Sequence, residues 1–130
     1  MYHLTALVTL LAILVYLYSS ILVARARSRF GVPLPAISGN PDFERVFRAQ
    51  MNTLEWLPIF LPSLWLFAIY LSNGVAAAIG MVWVLGRIMY ILGYASAVEK
   101  RSLGFMVQAF ATIALWIGAL GGIVRGMMQG

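Results

Sequence analysis

Thirteen residues, Glu44–Trp56 (ERVFRAQMNTLEW), carry polar side chains into a segment that continues as an apolar run of membrane length. Arg48, Asn52 and Glu55 stand at i, i+4 and i+7, so a helix turning ~100° per residue sets them within roughly 60° of arc. Charged and amide groups are costly in hydrocarbon, and a membrane helix that keeps three on one face has a use for them. Guanidinium donors, an amide and an acceptor carboxylate suit a small zwitterionic ligand with carboxylates and an amine.

The third helix carries a second polar stripe: Arg87, Tyr90, Tyr94 and Arg101 lie at i, i+3, i+7 and i+14, again within roughly 60° on one helix face. Measured from the outer end of each helix at ~1.5 Å per residue, Glu55 lies roughly 25 Å in, Tyr94 roughly 28 Å and Arg87 about 18 Å, with Arg101 beyond the hydrocarbon. Both stripes therefore converge near one boundary of the bilayer. Arg87 is the deep exception and requires a partner, for which Glu55 is the nearest carboxylate by depth. Plainer roles compete with these: tyrosines as interfacial belt residues, Arg25 and Arg29 as topology anchors at the lipid headgroups, Arg87–Glu55 as a purely structural ion pair.

The elements that must hold these residues follow from composition. The chain has 130 residues, 62% hydrophobic and only 10% charged, with a mean hydropathy of +0.91, which is too apolar for a soluble domain of this length. Crossing ~30 Å of hydrocarbon takes about 20 mostly apolar residues per helix. Leu4–Val23, Met51–Leu71, Val75–Tyr94 and Leu103–Val124 qualify. They are joined by a long connection over about Ala24–Arg48 and two short ones. Short connections favour antiparallel neighbours, so the expectation is an all-α, integral membrane four-helix bundle in a single domain over residues 1–130. Period-two alternation is missing, which argues against strands. Pro58 and Pro62 are expected to kink the second helix.

Ala24-Arg25-Ala26 superficially resembles a signal cleavage site, but no basic residue precedes Arg25 and the apolar run exceeds a signal core, so the first segment reads as a retained helix. Arg25, Arg27, Arg29, Arg45 and Arg48 surround the first connection, and Lys100 and Arg101 mark the third. The positive-inside rule then puts the first and third connections in the cytoplasm and both termini on the opposite side. The net charge of +5 is thus explained by topology and calls for no nucleic-acid partner. The chain contains no cysteine, so disulfides, thiolate metal sites and a cysteine nucleophile are excluded together. His3 alone makes no metal site. Any thiol chemistry has to arrive with the substrate.

ERVFRAQMNTLEW followed by LPIFLPSLW, and later RIMYILGYASAVEKR, resembles the MAPEG family of membrane-associated glutathione enzymes, chiefly its leukotriene synthase and microsomal glutathione transferase branch. The resemblance covers roughly Ser20 to Trp116 and is strongest over Phe43–Trp65 and Arg87–Arg101. It implies a left-handed four-helix bundle assembled as a homotrimer, with glutathione bound between adjacent subunits near the cytoplasmic face. Position by position, Arg48, Asn52, Glu55, Tyr90 and Tyr94 match glutathione contacts of one subunit, and Ser20, Arg27 and Gln50 match contacts from its neighbour. Arg101 matches the arginine that holds the glutathione thiolate in catalysis. Trp56 departs from the tyrosine of that branch; an indole donates a hydrogen bond but accepts none. Gln50 lies ~200° from Arg48 around the second helix, where a residue serving a different subunit's site would stand.

The chemistry implied is conjugation of glutathione to a lipophilic electrophile, with glutathione-dependent peroxidase activity as a companion. Arginine forks suit the two carboxylates, Glu55 the γ-glutamyl ammonium, and a guanidinium beside the sulfur favours thiolate over a thiol of pKa ~8.5. Lipid or another lipophilic small molecule would enter from the bilayer. Two other classes stand beside this one. A non-enzymatic lipid-binding scaffold, like the family's lipoxygenase-activating member, would lack counterparts of Arg48, Glu55 and Arg101. A small four-helix exporter of cationic drugs would need a carboxylate deep in the bilayer rather than an arginine-rich pocket.

Overall fold

The computed structural model describes residues 1–130 and contains four long helices: α1 (His3–Phe30), α2 (Pro41–Tyr70), α3 (Asn73–Ser96) and α4 (Ser102–Gln129). A 3-10 turn over Val98–Arg101 links the last two. All four helical segments are long and apolar enough to cross a membrane. The helices outrun the apolar stretches at both sides of the first connection. α1 continues through the three arginines to Phe30, and α2 begins at Pro41, so the irregular link shrinks to residues 31–40. Arg25, Arg27 and Arg29 are therefore helical, fixed in direction by α1.

Local chemistry sets these boundaries. Gly31 adopts φ 66°, ψ 39°, and Val32 N–H reaches back to the Arg27 carbonyl at 3.1 Å, the six-to-one bond that closes a helix through a left-handed glycine. Asn40 caps α2 by accepting from Phe43 N–H at 3.0 Å, with Pro41 in the first turn and Asp42 and Glu44 at the positive end of the dipole. Ser72 caps α3 in the same way, accepting from Val75 N–H at 3.1 Å. α2 runs continuously through Pro58 and Pro62. Each proline removes one N–H, and neighbouring turns keep the helical path.

Packing inverts the soluble pattern. α1 buries Thr5, Val8, Ala12, Val15, Ser19, Val23 and Ala26, while Leu10, Leu14, Leu17 and Ile21 point outward. Small residues inside let backbones approach, and large aliphatic ones meet lipid without penalty. Interhelical hydrogen bonds add to the packing: Thr5 Oγ1 donates to Asn73 Oδ1 at 2.8 Å, and Trp65 Nε1 donates to Thr9 Oγ1 at 2.9 Å. Phe60 and Trp83 stack at 4.1 Å between α2 and α3. α3 and α4 touch through Gly86 and Gly104: a Cβ at Gly86 would come 2.9 Å from the Gln108 nitrogen, and one at Gly104 would press on the Tyr90 backbone. That close approach brings the start of α4 against Tyr90. α1 packs on α2 and α3, α4 also packs on α2 and α3, and α2 and α3 pack on each other. A second small cluster of Val23, Ala26, Val32 and Phe43 anchors the 31–40 link.

Candidate functional site

Asn52, Tyr90 and Arg101 line one open cavity of about 390 Å³, together with Ser102, Phe105 and Met106. Three of the residues singled out by sequence are thus brought together, from α2, α3 and the 3-10 turn. Tyr90 is buried, and its ring meets the Tyr94 ring edge-on at 5.6 Å. The Arg101 guanidinium lies 5.6 Å from the Tyr94 ring centroid, within reach of a cation–π attraction. Arg101 Nη1 donates to the Val98 carbonyl at 3.0 Å, and its side chain is otherwise exposed to the cavity mouth.

Arg101 reaches this place by a route that helical periodicity does not describe. α3 ends at Ser96, Ala97 is extended at φ −165°, ψ 149°, and the chain then turns through Val98–Arg101. The extended residue destroys the phase relation with Arg87, so a single stripe of four on one helix is incorrect. Arg101 returns to the tyrosines because the turn folds it back over the end of α3.

Arg87 also departs from expectation. It is fully buried and makes no ion pair with Glu55. Its Nη1 donates to Asn52 Oδ1 at 2.8 Å and to Thr53 Oγ1 at 3.4 Å. Tyr90, Trp83 and Trp56 surround the guanidinium, with ring centroids 4.7, 5.7 and 5.9 Å away. The cause is the rotation of α2. Thr53, ~100° beyond Asn52 around the helix, is completely buried, so only the Asn52 edge of the stripe faces α3. Arg48 and Glu55, one turn to either side of Asn52, project outward and are exposed, with no ion-pair partner in the chain.

Ser20, Gln50 and Arg27 stand elsewhere. Gln50 Nε2 donates to Ser20 Oγ at 2.9 Å across α1 and α2. Arg27, seven residues beyond Ser20 and so on the same side of α1, donates through Nη1 to the Ala36 carbonyl at 2.6 Å and covers the Phe43 ring at 4.9 Å. Each chain therefore presents two polar sets on two different faces.

Thr53, Phe105 and Met106 were not singled out by the sequence. Phe105 packs against Trp56 at 5.5 Å, edge-on, and against Tyr90 at 6.0 Å, so Trp56 supports the cavity through Phe105. The usable signal was the spacing Arg101, Ser102, Phe105, Met106, which gives the opening turns of α4 one continuous face.

Four long apolar helices, with a partly polar, arginine-bearing cavity between α2, α3 and α4, define an integral membrane bundle. The model of the MAPEG family matches residues 5–121, and the chain belongs to that family. It is 52% identical to an uncharacterized protein of Synechocystis sp. over 95% of this chain and 90% of that one. It is 39% identical to human microsomal glutathione S-transferase 2 over 91% of this chain and 81% of that protein. It is also 41% identical to leukotriene C4 synthase of Cavia porcellus, over 88% of this chain and 74% of the synthase.

Proposed function

We propose that this protein is a membrane glutathione transferase that adds the glutathione thiolate to lipophilic electrophiles, in a site completed by two copies of the chain. The observation that carries the reading is the cavity shared by Asn52, Tyr90 and Arg101, beside which Arg48 and Glu55 lie exposed on α2. Exposed charges on a membrane helix need partners that a lone chain does not provide. Glutathione supplies the carboxylates for Arg48 and the ammonium for Glu55. The similarity to enzymes named for glutathione transfer and for leukotriene C4 synthesis supports the same ligand.

The opposite polar set, Ser20, Gln50 and Arg27, is then the contribution of a neighbouring subunit, and the assembly is a homotrimer closed by repeating one interface around an axis. In the reaction Arg101 sits beside the sulfur and favours its ionised form, so the thiol proton is released to solvent. The sulfur lone pair forms the new S–C bond to an electrophile arriving from the bilayer. The displaced pair leaves with a leaving group or becomes a carbanion or alkoxide that takes a proton from water. Tyr90 and Tyr94 bound the space and offer hydroxyls to glutathione. The arginine-rich end, with the 31–40 link and the 3-10 turn, faces the cytoplasm under the positive-inside rule, where glutathione is dissolved.

Isothermal titration of glutathione into detergent-purified protein tests the reading. Saturable binding with conjugation of an aryl halide is expected. Absence of binding by folded protein would refute it and would favour the lipid-scaffold alternative.

A further inference from the structure

Arg25, Arg29 and Arg45 take no part in the proposed reaction, yet they line a single crevice of about 450 Å³ where the ends of α1 and α3 meet the start of α2. Asp42 is the one carboxylate there, and it forms the only salt bridge of the chain, with Arg45. The Arg45 Nε remains buried with no partner. Arg25 and Arg29, one turn apart on α1, have no counter-charge; Arg29 lies over the Phe30 ring at 5.2 Å. Three guanidiniums against one carboxylate leave two positive charges unbalanced.

Directly along the helices, the crevice continues into a groove of about 460 Å³ whose seven lining residues are all hydrophobic. Leu14, Leu17 and Ile21 of α1 face Ile88 of α3 across it, and Leu92 lines both the crevice and the groove. A basic head space above an apolar channel of this kind has the outline of one amphiphile. The groove side of α1 is turned roughly 130° from Ser20 and Arg27, so it does not compete with the face assigned to a neighbouring subunit.

We propose that the α1–α3 surface is a binding site for an anionic phospholipid, its phosphate held by Arg25 and Arg29 with Arg45 adding positive charge at the crevice wall, and one acyl chain lying in the groove. Arginine forks bind phosphate oxygens two at a time, and basic residues at a membrane boundary attract anionic headgroups. The charge excess selects against a zwitterionic lipid, whose own cation would meet the arginines. The inference rests on residues separate from the proposed glutathione site and stands or falls independently of it.

Native mass spectrometry of the detergent-purified protein, equilibrated with dioleoyl phosphatidylglycerol or dioleoyl phosphatidylcholine, provides the test. The anionic lipid should be retained about tenfold more than the zwitterionic one, and Arg25→Gln/Arg29→Gln should bring the two to parity. Both side chains are exposed, so helicity and elution volume should not change. Leu92→Trp, which fills the groove, should weaken phosphatidylglycerol retention with all three arginines in place. Equal retention of the two lipids by the wild type, or a preference that survives the double substitution, overturns the proposal. Displacement of the lipid by millimolar inorganic phosphate would reveal a bare anion site and also overturn it.

Discussion

Arg87 is tied to Asn52, from Nη1 to Oδ1 at 2.8 Å, and this bond couples the bundle interior to the cavity wall. The arginine is fully buried and two of its nitrogens, Nε and Nη2, have no partner. Asn52 is thus both a lining residue and the principal acceptor for an interior cation. Asn52→Leu should destabilise the protein by about 1–3 kcal/mol, the cost of leaving a buried donor without its acceptor. Arg87→Met removes the cation at similar volume and should be less damaging, in line with buried charges replaced by apolar groups. Thermal unfolding midpoints in one detergent rank the two; the reverse order would mean that the aromatic cage, not Asn52, holds Arg87.

Arg48→Ala and Glu55→Ala should each weaken glutathione binding by about 1.5–3 kcal/mol, as expected for lost charge-assisted hydrogen bonds. Both side chains are exposed, so fold and oligomer size should persist. Titration calorimetry reads the affinity. Unchanged binding in both variants removes the α2 stripe from the site.

Gln50 bonds to Ser20 within its own chain, on a face separate from Arg48. If each site draws on two chains, coexpressing Gln50→Ala with Arg48→Ala should restore some intact sites. Conjugation above that of either parent is expected in the mixed assemblies. Activity no greater than the parents' average would place the whole site within one subunit.

Arg101→Ala should lower conjugation at neutral pH while leaving glutathione affinity within a few-fold, since the proposed site assigns the carboxylates and amine to other residues. The sign of the pH dependence follows from the thiol. If the guanidinium stabilises the thiolate as proposed, the sulfur should be ionised near neutrality; without it, ionisation should wait for pH values near ~8.5. Activity of the variant should therefore climb with pH while the wild-type profile stays flatter. Arg101→Lys, which retains charge but not the fork, should fall between them. Thiolate absorbance at neutral pH gives a second readout, and its persistence in Arg101→Ala would assign the role to the tyrosines.

The four spans, the α2 stripe and the family resemblance were legible in the sequence because each depends on neighbours along one helix. Hydropathy over some twenty residues decides whether a segment enters the bilayer. A spacing of i, i+4, i+7 decides which side chains share a face. Neither depends on where another helix lies, and the separation of Gln50 from Arg48 was readable for the same reason.

Tertiary structure decided what happens between helices. Depth alone paired Arg87 with Glu55, but a depth carries no rotation angle, and the turn of α2 gave the arginine Asn52 and Thr53 instead. Periodicity placed Arg101 on the α3 stripe, but the extended Ala97 ends the helix, and only the fold of Val98–Arg101 returns the guanidinium to Tyr94. The share of α4 in the cavity was out of reach as well. Phe105 and Met106 look like ordinary lipid-facing residues until Gly86 and Gly104 let α3 and α4 close together. Such contacts are settled by steric fit over a few ångströms, which residue spacing within a single helix does not encode.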